Sequence, residues 1–153
     1  MSIVLRQRRA RPSRRTVGYR QILVPLGLDA VSELAVDLAC RLAADDGAAI
    51  RVLTVIEVPE LLPLDAAMPD EEQVVHGLLL RANAVADTYG IRIATQTIRA
   101  REAGSVIAER AETLGCDLIL MGQGSRPRSG AGRTATFVLK HATCRVMLVR
   151  GTP

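Results

Sequence analysis

The 153-residue sequence contains no tryptophan, one phenylalanine and two tyrosines. Single-stranded nucleic acids are held on aromatic stacking platforms, so this scarcity argues against nucleic-acid binding by the body of the chain. Cysteine is also scarce: Cys40, Cys116 and Cys144 lie far apart and form no CxxC pair. An odd count without metal-ligand spacing speaks against a disulfide framework or a zinc site. It suits buried thiols acting as small hydrophobes in a reducing compartment. No apolar run approaches the ~18 residues needed to span a bilayer. The N-terminus has no secretory h-region, so a cytoplasmic location is expected for the folded part.

Acidic residues are missing from residues 1–20, which instead hold Arg6, Arg8, Arg9, Arg11, Arg14, Arg15 and Arg20. The rest of the chain has 13 basic and 16 acidic residues, so the net charge of +4 belongs to this leader and not to the body. Residues 1–19 are accordingly expected to form a basic, flexible tail, and residues 20–151 one α/β domain.

Within the body, short apolar runs alternate with helical patterns. "QILVPL" at 21–26 reads as a buried parallel strand that Pro25 brings to a close. Residues 29–47 follow as a helix, with Val31, Leu34, Ala35, Leu38 and Leu42 inward and Gly47 as its stop. A second strand is expected over 49–58, then a proline-punctuated loop carrying Leu61, Leu62 and Leu64. The next helix starts near Pro69 with Asp70, Glu71 and Glu72 at its positive end. Val74, Leu78, Ala82 and Val85 continue it to Tyr89-Gly90. Residues 91–100 read as strand three, 104–115 as a helix facing inward through Ile107, Ala111 and Leu114, and 117–122 as strand four. A helix over 134–142 and a strand over 144–150 complete the pattern. Such alternation gives βαβ units and a parallel sheet covered on both faces.

Ligands of such sheets bind beyond the strand carboxyl ends, where the winding direction switches. The loops expected there are residues 26–30 and 122–133. The second reads "MGQGSRPRSGAGRTATF" over 121–137. Gly122, Gly124, Gly130 and Gly132 offer backbone access to an anion, Arg126, Arg128 and Arg133 offer charge, and Thr134 and Thr136 offer hydroxyls at a helix start. Neither a P-loop nor a GxGxxG fingerprint is present. The residues fit two readings, a phosphate cradle or a solvated Arg/Ser/Gly loop.

"ILVPL", "LTVIEV", "DLILMGQGS…G" and "HATCRVMLV" together resemble the universal stress protein family over roughly residues 19–150. The resemblance implies a five-stranded, doubly wound parallel sheet of the adenine-nucleotide alpha-hydrolase-like kind, in a homodimer joined along strand 144–150. It implies a regulatory or sensory domain of the stress response that binds ATP, AMP or cyclic di-AMP. The family's ATP pattern is G-x-x-G, a nine-residue gap, then G-[S/T]. This chain departs from it: Gly124 comes early, Gly132 comes three residues too soon, and Arg133 replaces the Ser/Thr. Gly27 stands where the family has an adenosine-contacting aspartate. The candidate nucleotide site is Pro25, Val55, Met121, Gly122, Gly124, Arg126, Arg128, Gly130, Gly132, Arg133 and Thr134, with Val55 and Met121 as apolar walls for a base. The alternative is a ligand-free interaction module working through its dimer edge and the Leu61–Leu64 loop. "GRTATFVLKHATCRVMLV" and the basic segment before "YRQILVPLGLD" also look like the cytosolic domains ending some bacterial amino-acid permeases. That likeness implies transporter or anionic-membrane contact through the arginines of 6–20.

Catalysis is not expected. His76 reads as a solvent-facing helix residue and His141 as a favourable partner for C-terminal carbonyls. The acid pairs Asp45-Asp46 and Glu71-Glu72 occupy helix ends, and no metal-ligand spacing occurs.

Overall fold

A computed structural model describes residues 18–27, 31–123 and 131–151. The chain runs β1 (Gln21–Leu26), α1 (Val31–Asp46), β2 (Ala49–Glu57), α2 (Pro69–Thr88) and β3 (Ile93–Ala100). It continues through α3 (Ala103–Thr113), β4 (Leu118–Gln123), α4 (Ala131–His141) and β5 (Arg145–Arg150). All strand pairs are parallel, in the order β3-β2-β1-β4-β5. This is the expected five-stranded doubly wound sheet, with β1 central and the winding switching between β1 and β4.

The pleat sends alternate residues to two cores. Ile22, Val24, Leu118 and Leu120 pack with the buried faces of α1 and α2. Leu23, Leu53, Ile119 and Met121 pack with Ile107 and Ala111 of α3 and Ala135 and Val138 of α4. Among the described residues no helix is long and apolar enough to cross a membrane.

Helix ends follow local chemistry. Pro69 opens α2 with three acids in its first turn. Gly47, Gly90 and Gly115 end the first three helices with φ of 68°, 65° and 63°, the left-handed conformation that glycine adopts without a Cβ penalty. The bonds Ile91 N–H to Ala86 C=O (3.1 Å) and Cys116 N–H to Ala111 C=O (2.9 Å) close the last two of these turns.

Helix faces depart from the expected stripes. In α1 the buried residues are Ser32, Ala35, Val36, Ala39, Cys40 and Ala43, while Leu34 is 39% exposed. Small side chains let this helix lie close to the sheet, and the leucines flank it. In α2 the inward set is Val75, Leu78, Ala82 and Ala86, so Val74 faces out. Strand β1 also runs on through Pro25 to Leu26, paired with Leu53 and Thr54 of β2. Its ladder to β4 holds only the pairs Ile22↔Leu118 and Leu23↔Ile119. Proline has no N–H to donate, and here it lies beyond the last β4 pair.

Candidate functional site

The carboxyl ends of β1 and β4 are adjacent, and a helix leaves each of them: α1 on one face of the sheet, α4 on the other. The starts of α1 and α4 therefore lie at the same end of the sheet, each carrying the positive end of a helix dipole.

Three apolar candidates come together on the face covered by α3 and α4. Val55 of β2 is half-buried, Pro25 of β1 is buried, and Met121 of β4 is 5% exposed. All three lie toward the carboxyl ends of neighbouring strands, but Pro25 is level with Leu53, so Val55 stands one same-face position further along β2. Gly122 turns to the opposite face. A Cβ there would lie 2.9 Å from Val31 Cγ1 and 3.2 Å from the Val31 carbonyl oxygen. Its bare backbone makes room for the first residue of α1. Gly132 differs: it is exposed in the first turn of α4, and a Cβ there would meet nothing within 4 Å. Arg133 beside it is exposed and Thr134 is half-buried. The Thr136 hydroxyl donates back to the Gly132 carbonyl at 2.6 Å, so it serves the helix backbone. Gly124, Arg126, Arg128 and Gly130 lie outside the described residues, as do the arginines at 6–15 and Asp29.

Two groups at this end of the sheet escaped the sequence reading. Ser32 is 3% exposed and exchanges two bonds with Gly27: its Oγ accepts from Gly27 N–H and donates to Gly27 C=O, both at 2.9 Å. This pins the turn leaving β1 to the start of α1. A serine in a first helical turn after a glycine was the available signal. Glu57, at the end of β2, accepts the Ala103 N–H at 2.9 Å and so places a carboxylate at the start of α3. Those partners are 46 positions apart, and no local pattern joins them.

The two histidines lie elsewhere. His76 is exposed on α2, and His141 stacks on Phe137 at 4.2 Å in the last turn of α4. Burial pushes the thiols of Cys40, Cys116 and Cys144 above their ordinary range, which keeps them protonated and poor nucleophiles. Among the described residues no group of three His, Cys, Asp or Glu side chains could hold a metal ion.

A doubly wound parallel sheet whose winding switches between β1 and β4 is the class of α/β domain whose ligand sites lie beyond the strand carboxyl ends. The model of the universal stress protein family matches residues 18–150, and the chain belongs to that family. Universal stress protein A homolog 2 of Coxiella burnetii is 30% identical over 141 residues, covering 86% of this chain and 95% of the relative. Among solved structures, a universal stress protein in complex with cAMP superposes with a TM-score of 0.65 at 21% identity, over 86% of this chain and 97% of that one. The universal stress protein from Archaeoglobus fulgidus in complex with dAMP gives 0.68 at 15% identity, over 86% and 98%. At these identities the two structures establish the shared fold.

Proposed function

We propose that this chain is a regulatory domain that holds an adenine nucleotide in the β1–β4 crevice without turning it over. The observation that carries the reading is the apolar patch of Val55, Pro25 and Met121 near the strand carboxyl ends, a surface for a base, with the start of α4 at the same end and Arg133 exposed in its first turn. A guanidinium next to a positive helix end suits a phosphate. The adenine nucleotides in the two structural relatives, cAMP and dAMP, support the same ligand class. Binding without turnover is supported by the position of His141, at the far end of α4, ~15 Å of helix from its start.

The test is calorimetric titration with ATP, AMP, cyclic AMP and cyclic di-AMP, repeated on Arg133→Ala. Micromolar binding of one nucleotide, weakened about tenfold by the substitution, is expected from one charge-assisted contact. Absence of heat across the panel from folded protein rejects the reading.

A second reading has its own observation. The segment after β2 holds Leu61 98% exposed, yet it is braced from within. Arg101 Nη1 donates to the carbonyls of Val58 (3.1 Å), Pro59 (2.5 Å) and Leu62 (2.8 Å). Arg99 donates to Leu64 (2.9 Å) and Ala66, and pairs with Glu72 at 2.8 Å. An apolar side chain presented on a braced loop suits contact with another protein. Self-association along β5 belongs to the same reading. So does contact of the arginine-rich leader with an anionic membrane or transporter, for which the support is its charge alone.

A further inference from the structure

Away from the crevice, a groove lies between α3, β2 and the outer strand β3. Leu23, Leu53 and Leu114 line it, together with Arg51, Gln96 and Arg110, around a cavity of about 40 Å³. One water needs roughly 10–15 Å³, so there is space for a group of a few heavy atoms.

Its two charged side chains, Arg51 and Arg110, carry only donors. Arg110 Nη2 donates to Gln96 Oε1 at 2.9 Å, which uses the amide oxygen and leaves the amide NH2 as what Gln96 can offer. The Nε atoms of Arg51 and Arg110 are both buried and meet no acceptor among the described residues. Neither arginine has an ion pair among the described residues. Asp117 and Arg51 both act on the Cys116 thiol, but the Asp117 carboxylate accepts the N–H groups of Arg20 (2.8 Å) and Gln21 (3.1 Å). Arg110 alone would suit the negative end of the α3 dipole. That role explains neither its buried, unanswered Nε nor a second arginine in the same groove. Buried donors without acceptors are costly, and two full charges outweigh the half charge of a helix end.

We infer that the Arg51–Gln96–Arg110 groove is a binding site for a small oxyanion, a phosphate or carboxylate group received by two guanidinium forks above an apolar floor. Planar forks match both groups through paired N–H···O bonds. The site is separate from the crevice: Arg51 and Val55 share β2, and four residues of strand span ~13 Å. It therefore holds whether or not a nucleotide binds there.

The test follows the arginine Nε–Hε resonances of the isotope-labelled full chain by NMR, during titration with inorganic phosphate, acetate or chloride at constant ionic strength. Saturable shifts at Arg51 and Arg110 are expected with a dissociation constant of about 1 mM or tighter. Each of Arg51→Met and Arg110→Met should weaken binding about tenfold in protein whose amide spectrum stays dispersed. The tighter of phosphate and acetate identifies the oxyanion. Shifts that fail to saturate, or that chloride reproduces, overturn the inference, and so do saturable shifts confined to Arg133. The wild-type titration alone decides if a variant fails to fold.

Discussion

At the scale of single residues, the best-defined polar cluster ties α1 to the end of α2. The Tyr89 hydroxyl donates to Asp37 Oδ1 at 2.5 Å, while Arg41 Nε donates to Asp37 Oδ2 at 2.9 Å and to the Tyr89 oxygen at 3.1 Å. The Tyr89 bond first, and then the Arg41 bond and charge, hold the Asp37 carboxyl below its ordinary value, against the opposing effect of desolvation. A carboxyl lowered in the folded state contributes stability that is complete above its unfolded value, about pH 4, and lost as pH falls through the lower folded value. Asp37→Asn should therefore flatten the fall in stability between about pH 5 and pH 2.5. Urea midpoints of both proteins across that range check this. An equal fall in the two proteins would mean that the cluster contributes nothing to acid sensitivity. The Tyr89–Asp37 bond was not legible in sequence, because its partners are 52 positions apart, whereas Asp37 and Arg41 stand at the local i,i+4 helical spacing. By contrast, the exposure of His76 follows directly from its neighbours on α2.

Elements divide the crevice glycines into two kinds. Gly122 is required by packing, because the Val31 side chain and carbonyl occupy the space a Cβ would take. Valine is stiff at χ1 and cannot swing clear, so Gly122→Ala should cost about 1–3 kcal/mol as overpacking does. Gly132 has no such neighbour. Within a helix, Gly132→Ala should leave stability unchanged or raise it by up to about 1 kcal/mol. Chemical denaturation of both variants measures the contrast. The same Gly132→Ala protein, titrated with nucleotide, separates the roles. Lost affinity at undiminished stability would assign this glycine to phosphate approach, and unchanged affinity would leave it a helix residue only. Element type and order were readable from apolar runs, Pro69 and the stop glycines Gly47, Gly90 and Gly115. The inward face of α1 was readable in part. Periodicity marked Ala35, which is fully buried, and Val31, Leu38 and Leu42, which pack half-buried on the core, but also Leu34, which is 39% exposed, and it missed Ala39 and Ala43.

For the whole molecule, the two outer strands differ. β3 is largely exposed and carries Thr95, Gln96 and Thr97, polar residues that blunt an edge. β5 reads RVMLVR, with Met147 36% exposed and Val146 and Leu148 half-buried. An apolar outer strand with unpaired backbone groups is a template for a second chain. Sedimentation should find a dimer that Met147→Lys shifts toward monomer with the fold retained. A wild-type monomer at tens of micromolar would remove the β5 edge from consideration. Charge also acts at this scale. The leader's arginines and an acidic body make any contact with anionic surfaces salt-sensitive, unlike docking through Leu61.

Sequence by itself determined the strands, the helices, their order and hence the parallel sheet, because these rest on local periodicity, caps and the rules of βαβ connection. Through the family resemblance it also named Pro25, Val55, Met121 and Gly122 as candidate nucleotide-site residues. Tertiary structure alone decided that the first three share one face while Gly122 turns to the other and makes room for Val31. It alone placed Arg51 and Arg110 in one groove, 59 positions apart in the chain. The reason is physical: a strand's pattern fixes which residues alternate. Which face meets which helix, and which distant charge lies across a groove, depends on how the layers pack.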